Sequence, residues 1–111
     1  MTDAMTPAQR LEHAATLAQL RAEARAWEIL VDALALDERP RAFACRWSPE
    51  GAVYLVHRDT YPAAPGWRVT YLVRTGSDLM PTGHTTASTY RRAIVEARAV
   101  GADLTREEPI P

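Results

Sequence analysis

The stretch that decides the fold is residues 41–58, RAFACRWSPEGAVYLVHR, in which side chains alternate in character on both sides of a turn sequence. Alternation with a period of two predicts β-strands over about 41–48 and 52–58. Between them, Ser48-Pro49-Glu50-Gly51 has proline second and glycine fourth, which is typical of a type I turn followed by a glycine bulge. The stretch therefore predicts an antiparallel hairpin in which Ser48 lies opposite Ala52.

This register sorts the side chains of the hairpin onto two faces of a sheet. Trp47 would lie opposite Val53, and Cys45 would lie opposite Leu55. The predicted apolar face carries Phe43, Cys45, Trp47, Val53 and Leu55. The predicted solvent face carries Arg46, Tyr54, Val56 and Arg58.

A long N-terminal helix is predicted over about residues 6–36. The segment is rich in alanine, Thr6 suits an N-cap, and Pro7 suits the first helical position. Pro40 disfavours helical geometry at the residue before it, so the helix ends before this proline.

The rest of the chain predicts one more strand and a closing helix. A third strand is expected over about 67–74, and a helix over about 86–100 that stops at Gly101. Residues 75–83 are expected to form a loop, and the acidic tail 102–111 is expected to be frayed.

These elements predict a single small α+β domain over residues 1–111. The order α-β-β-β-α gives a two-layer sandwich, because a three-stranded antiparallel meander with one apolar face needs a cover. We expect the long N-terminal helix and the C-terminal helix to cover that face together. The other face of the sheet is expected to remain open to solvent.

Composition excludes several classes of protein. The chain has 111 residues, of which 47% are hydrophobic and 24% charged, as in an ordinary globular domain. No apolar run reaches the roughly 18–20 residues that a membrane span needs. The N-terminus lacks the apolar segment of a secretory signal, and a lone cysteine, Cys45, fits a reducing compartment, so we expect a cytoplasmic protein without a membrane partner.

The net charge of -1 hides an asymmetry along the chain. Residues 1–38 carry three arginines against seven carboxylates, and residues 39–98 carry nine arginines against four. Residues 99–111 carry one arginine against three carboxylates, and there is no lysine. Guanidinium groups bind phosphate and carboxylate through two parallel hydrogen bonds, so the basic middle segment is where an anionic partner would bind.

The predicted open sheet face is the first candidate binding site. Four arginines would share it with a tyrosine, and arginines interleaved with an aromatic ring are typical of a nucleic-acid surface. The alternative is an ordinary solvated face whose arginine stems cover apolar neighbours. The residues are Arg46, Tyr54, Arg58, Arg68 and Arg74.

The start of the closing helix is the second candidate. Free N–H groups and the positive end of the helix dipole bind anions there, and nearby hydroxyls and arginines would strengthen the site, although plain capping is the alternative. The residues are His84, Thr85, Thr86, Arg91 and Arg92. The order of the elements, with Arg91 and Arg92 at the start of the last helix, resembles the topology of double-stranded-RNA-binding domains.

The long helix carries a third candidate surface. Leu17, Leu20, Ala24, Trp27, Val31 and Leu34 recur at alternating spacings of three and four, as in a heptad seam, and Leu30 widens it. The seam could pack within the chain, against a second copy in a homodimer, or against another protein. The predicted interface is Leu17, Leu20, Trp27, Leu30, Val31 and Leu34.

Nothing in the sequence predicts a cofactor, and no histidine or cysteine pair has the spacing of a metal site. A minority interpretation makes His84 a general acid or base with Asp78, as in a small ribonuclease. We expect instead a non-enzymatic module that binds nucleic acid or acts in a nucleic-acid-handling complex. The alternative is a small protein-interaction factor, an adaptor or inhibitor of the kind that mobile elements encode, acting through its long helix.

Overall fold

The computed structural model describes residues 4–47, 50–60 and 66–111. The predicted turn residues Ser48 and Pro49 lie outside the described residues, as do residues 61–65, which separate the second and third predicted strands. Contacts divide the chain into two compact units, with the division between Leu30 and Val31.

Helix α1 spans Pro7–Ala35, close to the predicted bounds. Its first turn is closed by a capping box, in which the Gln9 N–H donates to Thr6 Oγ1 at 3.2 Å and the Thr6 N–H donates to Gln9 Oε1 at 2.9 Å. The predicted N-cap at Thr6 is therefore confirmed. Val31 is the buried residue of α1.

Five strands form one open antiparallel sheet in the order β4-β3-β2-β1-β5. The predicted α+β class is confirmed, but the expected number of three strands is wrong. Residues expected to form a loop lie largely in β4, and the tail expected to be frayed forms β5. The strands are β1 (Arg41–Cys45), β2 (Val53–Arg58), β3 (Trp67–Thr75), β4 (Asp78–Ala87) and β5 (Ala102–Glu108).

Helix α2 spans Tyr90–Val100 and starts later than predicted. Its N-cap is Thr89, whose hydroxyl accepts a hydrogen bond from the Arg92 N–H at 3.2 Å. The predicted end is confirmed, because Gly101 has a φ of 126° and its N–H donates to carbonyls of the last turn. With two additional strands, the order α-β-β-β-β-α-β departs from that of double-stranded-RNA-binding domains.

The core of residues 31–111 lies between the sheet and α2. We call the side of the sheet that packs on α2 the helix face, and the Trp67 ring there meets the Tyr90 ring edge-on, with centroids 4.5 Å apart. The prediction that α1 also covers the sheet stays a prediction. Registers place the following residues on the helix face: Phe43, Tyr54, Val56, Trp67, Val69 and Tyr71.

The register of the first hairpin differs from the prediction by three residues. Phe43 pairs with Tyr54, whereas the predicted turn would have placed it opposite His57. The side-chain period of a strand is two, so an odd shift moves every side chain of one strand to the other face relative to its neighbour. Val53 and Leu55 therefore lie on the face opposite to Phe43, which we call the outer face, and Trp47 lies beyond the end of β1.

Candidate binding surfaces

The predicted arginine-rich sheet face does not form, because of the shifted register. Tyr54 and Arg58 lie on the helix face, whereas Arg68 and Arg74 lie on the outer face. Arg46 follows the end of β1. The structure therefore distributes the five predicted residues over both faces of the sheet and the end of β1, and the expectation that they share one open surface is wrong.

Two of these arginines stack on tryptophan rings. Arg58 Cζ lies 4.6 Å from the centroid of the Trp67 ring, and Arg46 Cζ lies 5.0 Å from that of Trp47. Arg46 also donates to the carbonyl of Arg98 at 2.8 Å. These contacts hold the guanidinium groups against their own chain.

Carboxylates of the same chain pair with several other predicted arginines. Arg68 Nη2 lies 3.1 Å from Asp59 Oδ1, and the Asp59 side chain is only 6% exposed. At the start of α2, Arg91 Nε lies 2.9 Å from Asp32 Oδ1, and Arg92 pairs with a carboxylate one turn further along α2 at 3.2 Å. A phosphate would have to compete with these ion pairs.

The predicted anion site at the start of the closing helix is also rearranged. His84, Thr85 and Thr86 belong to the edge strand β4, so their backbone groups do not form the free first turn of a helix. The hydroxyl that caps α2 comes from Thr89 instead. Of the predicted set, Arg91 and Arg92 remain in the first turn of α2, and both form ion pairs.

A groove on the outer face, which we call the Arg74 groove, is a site that the sequence only partly predicted. Its volume is about 480 Å³, and all five strands and the segment 109–111 contribute to it. Its floor includes Ala44 and Val53, and its basic residues are Arg74 and Arg106. Within the described chain neither arginine takes part in an ion pair of 4.0 Å or less.

Arg74 packs against a glycine. Gly51 has a φ of 83°, and a Cβ atom there would lie 3.1 Å from Arg74 Cδ. The arginine side chain therefore lies directly against the Gly51 backbone. Sequence reasoning missed Arg106 because it treated 102–111 as frayed, although the alternation of Ala102 and Leu104 with polar neighbours was a signal for a strand.

A buried polar cluster joins β1, α2 and β5. Arg41 is 6% exposed, and its Nε donates to the Tyr90 hydroxyl at 2.9 Å. Its Nη1 donates to both carboxylate oxygens of Glu107, at 3.0 and 3.2 Å. Burial raises the pKa of Tyr90. These contacts fasten β5 to the sheet, so we assign the cluster a structural role.

Burial also perturbs two stacked tyrosines on the helix face. The rings of Tyr54 and Tyr71 lie 4.7 Å apart, and the Tyr54 hydroxyl donates to the Val100 carbonyl at 2.7 Å. Burial is the main cause that raises the pKa of Tyr54 to about 12, and it also raises the pKa of Tyr71. The Cys45 thiol raises both pKa values further.

The seam of α1 is exposed in its N-terminal half. Leu17 and Leu20 are 38% and 55% exposed, Trp27 is half-buried, and Val31 is buried. Leu30 and Leu34 are half-buried. The first half of the predicted interface is therefore available to a partner.

The positions of the described residues do not support the catalytic pair or a metal site. Asp78 and His84 lie six residues apart along β4, which corresponds to about 20 Å at the rise of a strand, too far for one proton-transfer site. Among the described residues, no group of three or more histidine, cysteine or carboxylate side chains could hold a metal ion. None of the described helices is both long and apolar enough to cross a membrane.

Comparison with family models, with curated proteins and with solved structures gives no match to this chain.

Proposed function

We propose that this chain is a non-enzymatic protein-interaction module that binds its partner through the seam of α1. The observation that carries the proposal is the exposure of Leu17 and Leu20 on a helix whose residues 7–26 are all exposed. Burying a leucine side chain completely contributes roughly 2 kcal/mol, so the seam has a substantial free energy to gain from a partner.

The seam has the geometry that helix-in-groove recognition uses. Leu17, Leu20, Ala24 and Trp27 alternate at spacings of three and four, so they form one stripe along the helix. A second copy of the chain and a different protein are both compatible with this stripe. A cytoplasmic location is part of this proposal. The single cysteine, Cys45, is a buried free thiol, which fits a reducing compartment.

The test compares two leucines on opposite sides of α1. Leu20→Glu places a charge in the seam. Leu11→Glu is the matched control, because Leu11 is 73% exposed and lies on the opposite side of the helix, about two and a half turns before Leu20. Light scattering on the purified chain measures self-association, and nuclease-treated affinity capture with quantitative mass spectrometry measures other partners.

We expect wild type and Leu11→Glu to give the same dimer or the same captured protein, and Leu20→Glu to lose it. Equal behaviour of all three proteins, or equal loss in both variants, would contradict binding through the seam. Circular dichroism checks that both variants keep the helix content of the wild type.

Nucleic-acid binding is the second candidate, and the Arg74 groove is the observation that favours it. Arg74 and Arg106 line one groove, whereas the predicted arginines other than Arg74 are largely held by partners within the chain. Glu50 and Glu108 line the same groove, which weakens its attraction for phosphate.

The salt dependence of binding tests this second candidate. The logarithm of the association constant for duplex DNA falls linearly with the logarithm of the salt concentration. Each phosphate that the protein contacts contributes about -0.9 to the slope. Arg74→Glu combined with Arg106→Glu should make the slope shallower by about 1.8 or more if each arginine contacts one phosphate. Affinity that is the same in wild type and in the double variant at 50 mM salt would exclude the groove as the binding site.

A further inference from the structure

The outer edge of β4 is open to another chain. β4 is the terminal strand of the sheet and pairs with β3 along Asp78–Ala87. Within residues 4–47, 50–60 and 66–111, no other strand pairs with β4. An edge strand presents a row of unpaired N–H and C=O groups, and these are the groups to which an extended peptide adds as a further strand.

A pocket lies beside this edge on the helix face, and we call it the Gly83 pocket. Its volume is about 190 Å³, and its walls include Tyr54, Val69, Tyr71 and Thr85. Gly83 pairs with Tyr71, and a Cβ atom at Gly83 would meet no atom within 4 Å. The missing side chain of Gly83 therefore leaves space next to the Tyr71 ring.

The chemistry of the pocket favours an aromatic side chain. The stacked rings of Tyr54 and Tyr71 form part of its wall, and aromatic pairs gain from offset or edge-to-face contact beyond the burial of area. Thr85 lines the same pocket, and its buried hydroxyl has no hydrogen-bond partner among the described residues. Buried polar groups normally have a partner, so this hydroxyl is a place where a polar atom of a ligand gains a contact.

We propose that the edge of β4 receives an extended segment of a partner protein as an added strand, with one aromatic side chain of that segment in the Gly83 pocket. The usable edge is residues 82–87, because Pro81 has no N–H to donate. Main-chain hydrogen bonds supply affinity in this mode of recognition, and the side-chain pocket supplies selectivity. The site lies in the unit that begins at Val31 and does not depend on binding through α1, so either proposal can fail alone.

Filling the pocket is the sharpest perturbation. Gly83→Leu places a side chain in the open space without backbone strain, because Gly83 is not among the glycines with positive φ. The matched control is Thr86→Leu in the same strand, because Thr86 lies on the outer face and does not line the pocket. Both variants should unfold at temperatures close to that of the wild type.

The probe is a library of random linear heptapeptides displayed on phage, selected in parallel on wild type, Gly83→Leu and Thr86→Leu. The strongest peptides are then synthesised, and their affinities are measured by calorimetry. We expect wild type and Thr86→Leu to select peptides with an aromatic residue at a fixed position, and Gly83→Leu to bind them about tenfold more weakly or worse.

Hydrogen exchange distinguishes strand addition from simple occupancy of the pocket. A bound peptide should slow amide exchange at alternate residues of 82–87 in the wild type. Peptides that bind without protecting this edge would overturn strand addition. Selection of the same peptides by wild type and Gly83→Leu, or no enrichment of aromatic residues, would overturn the role of the pocket.

Discussion

Replacing Tyr54 by phenylalanine should destabilise the protein near pH 9. At pH 11 this destabilisation should disappear or change sign. The Tyr54 side chain is well buried, with the residue 6% exposed, and its hydroxyl donates to the Val100 carbonyl at 2.7 Å. Near pH 9 the hydroxyl is protonated in both the folded and the unfolded chain. Tyr54→Phe then loses a hydrogen bond and should be less stable by about 1 kcal/mol.

At higher pH the raised pKa of Tyr54 works against the wild type. The unfolded chain releases the tyrosine proton near pH 10, whereas the folded chain keeps it until pH rises to about 12. Stability is therefore full below pH 10 and is lost as pH rises through this window. At pH 11, halfway through the window, the loss from this one group is about 1.4 kcal/mol.

The assay is the free energy of unfolding in urea, measured for both proteins from pH 9 to pH 11. The advantage of the wild type should shrink to near zero or change sign, because Tyr71 and Tyr90 are present in both proteins and cancel in the difference. A difference that stays constant over this range would show that Tyr54 is not held in its neutral form by burial. Tyrosine absorbance at 295 nm gives a second readout, since Tyr54→Phe should lack the latest ionisation.

Three further perturbations should change stability by different mechanisms, each measured by chemical denaturation. Gly101→Ala should lower the free energy of unfolding by about 2 kcal/mol or more, and Gly76→Ala by about 1 kcal/mol. Both glycines have positive φ, but only at Gly101 would a Cβ atom collide with other side chains. Equal losses in the two variants would contradict this collision. Asp59→Asn should lower the free energy of unfolding by about 2–3 kcal/mol, and Asp37→Asn by less than about 0.5 kcal/mol. The ion pairs of the two carboxylates have similar lengths, but only that of Asp59 is buried. A larger loss for Asp37→Asn than for Asp59→Asn would contradict this explanation. Arg41→Met should lower the free energy of unfolding by about 3 kcal/mol, because it removes the donor that a buried tyrosine hydroxyl and a carboxylate share. A loss below about 1 kcal/mol would show that the cluster does not fasten β5.

The sequence located the first three strands and both helices, because these depend on local periodicity and capping. It failed on register, which depends on contacts remote in the chain. The Arg46 N–H donates to the Gly101 carbonyl at 2.8 Å, and the ring of Trp47 lies against Gly101. These contacts direct Arg46 and Trp47 out of β1, and no turn preference near residue 48 contains that information.

The two missed strands have different physical reasons. β4 contains Pro81 and Gly83, which normally mark a loop, but a terminal strand tolerates proline because its outer N–H groups need no partner in the sheet. β5 depends on pairing with β1, about 60 residues earlier, and on the ion pair between Arg41 and Glu107. Short-range patterns cannot identify a partner that far away.

The charge asymmetry of the sequence has an explanation within the fold. Carboxylates of the acidic flanks bind arginines of the basic middle segment: Asp32 pairs with Arg91, and Glu107 pairs with Arg41. Glu38 likewise lies 3.8 Å from Arg58. The positive middle segment is thus partly neutralised by its own chain. Many of the arginines that suggested phosphate binding in the sequence pair with carboxylates of the same chain in the structure. Among the described residues, Arg74 and Arg106 form no such ion pair, so their substitution discriminates between nucleic-acid and protein partners.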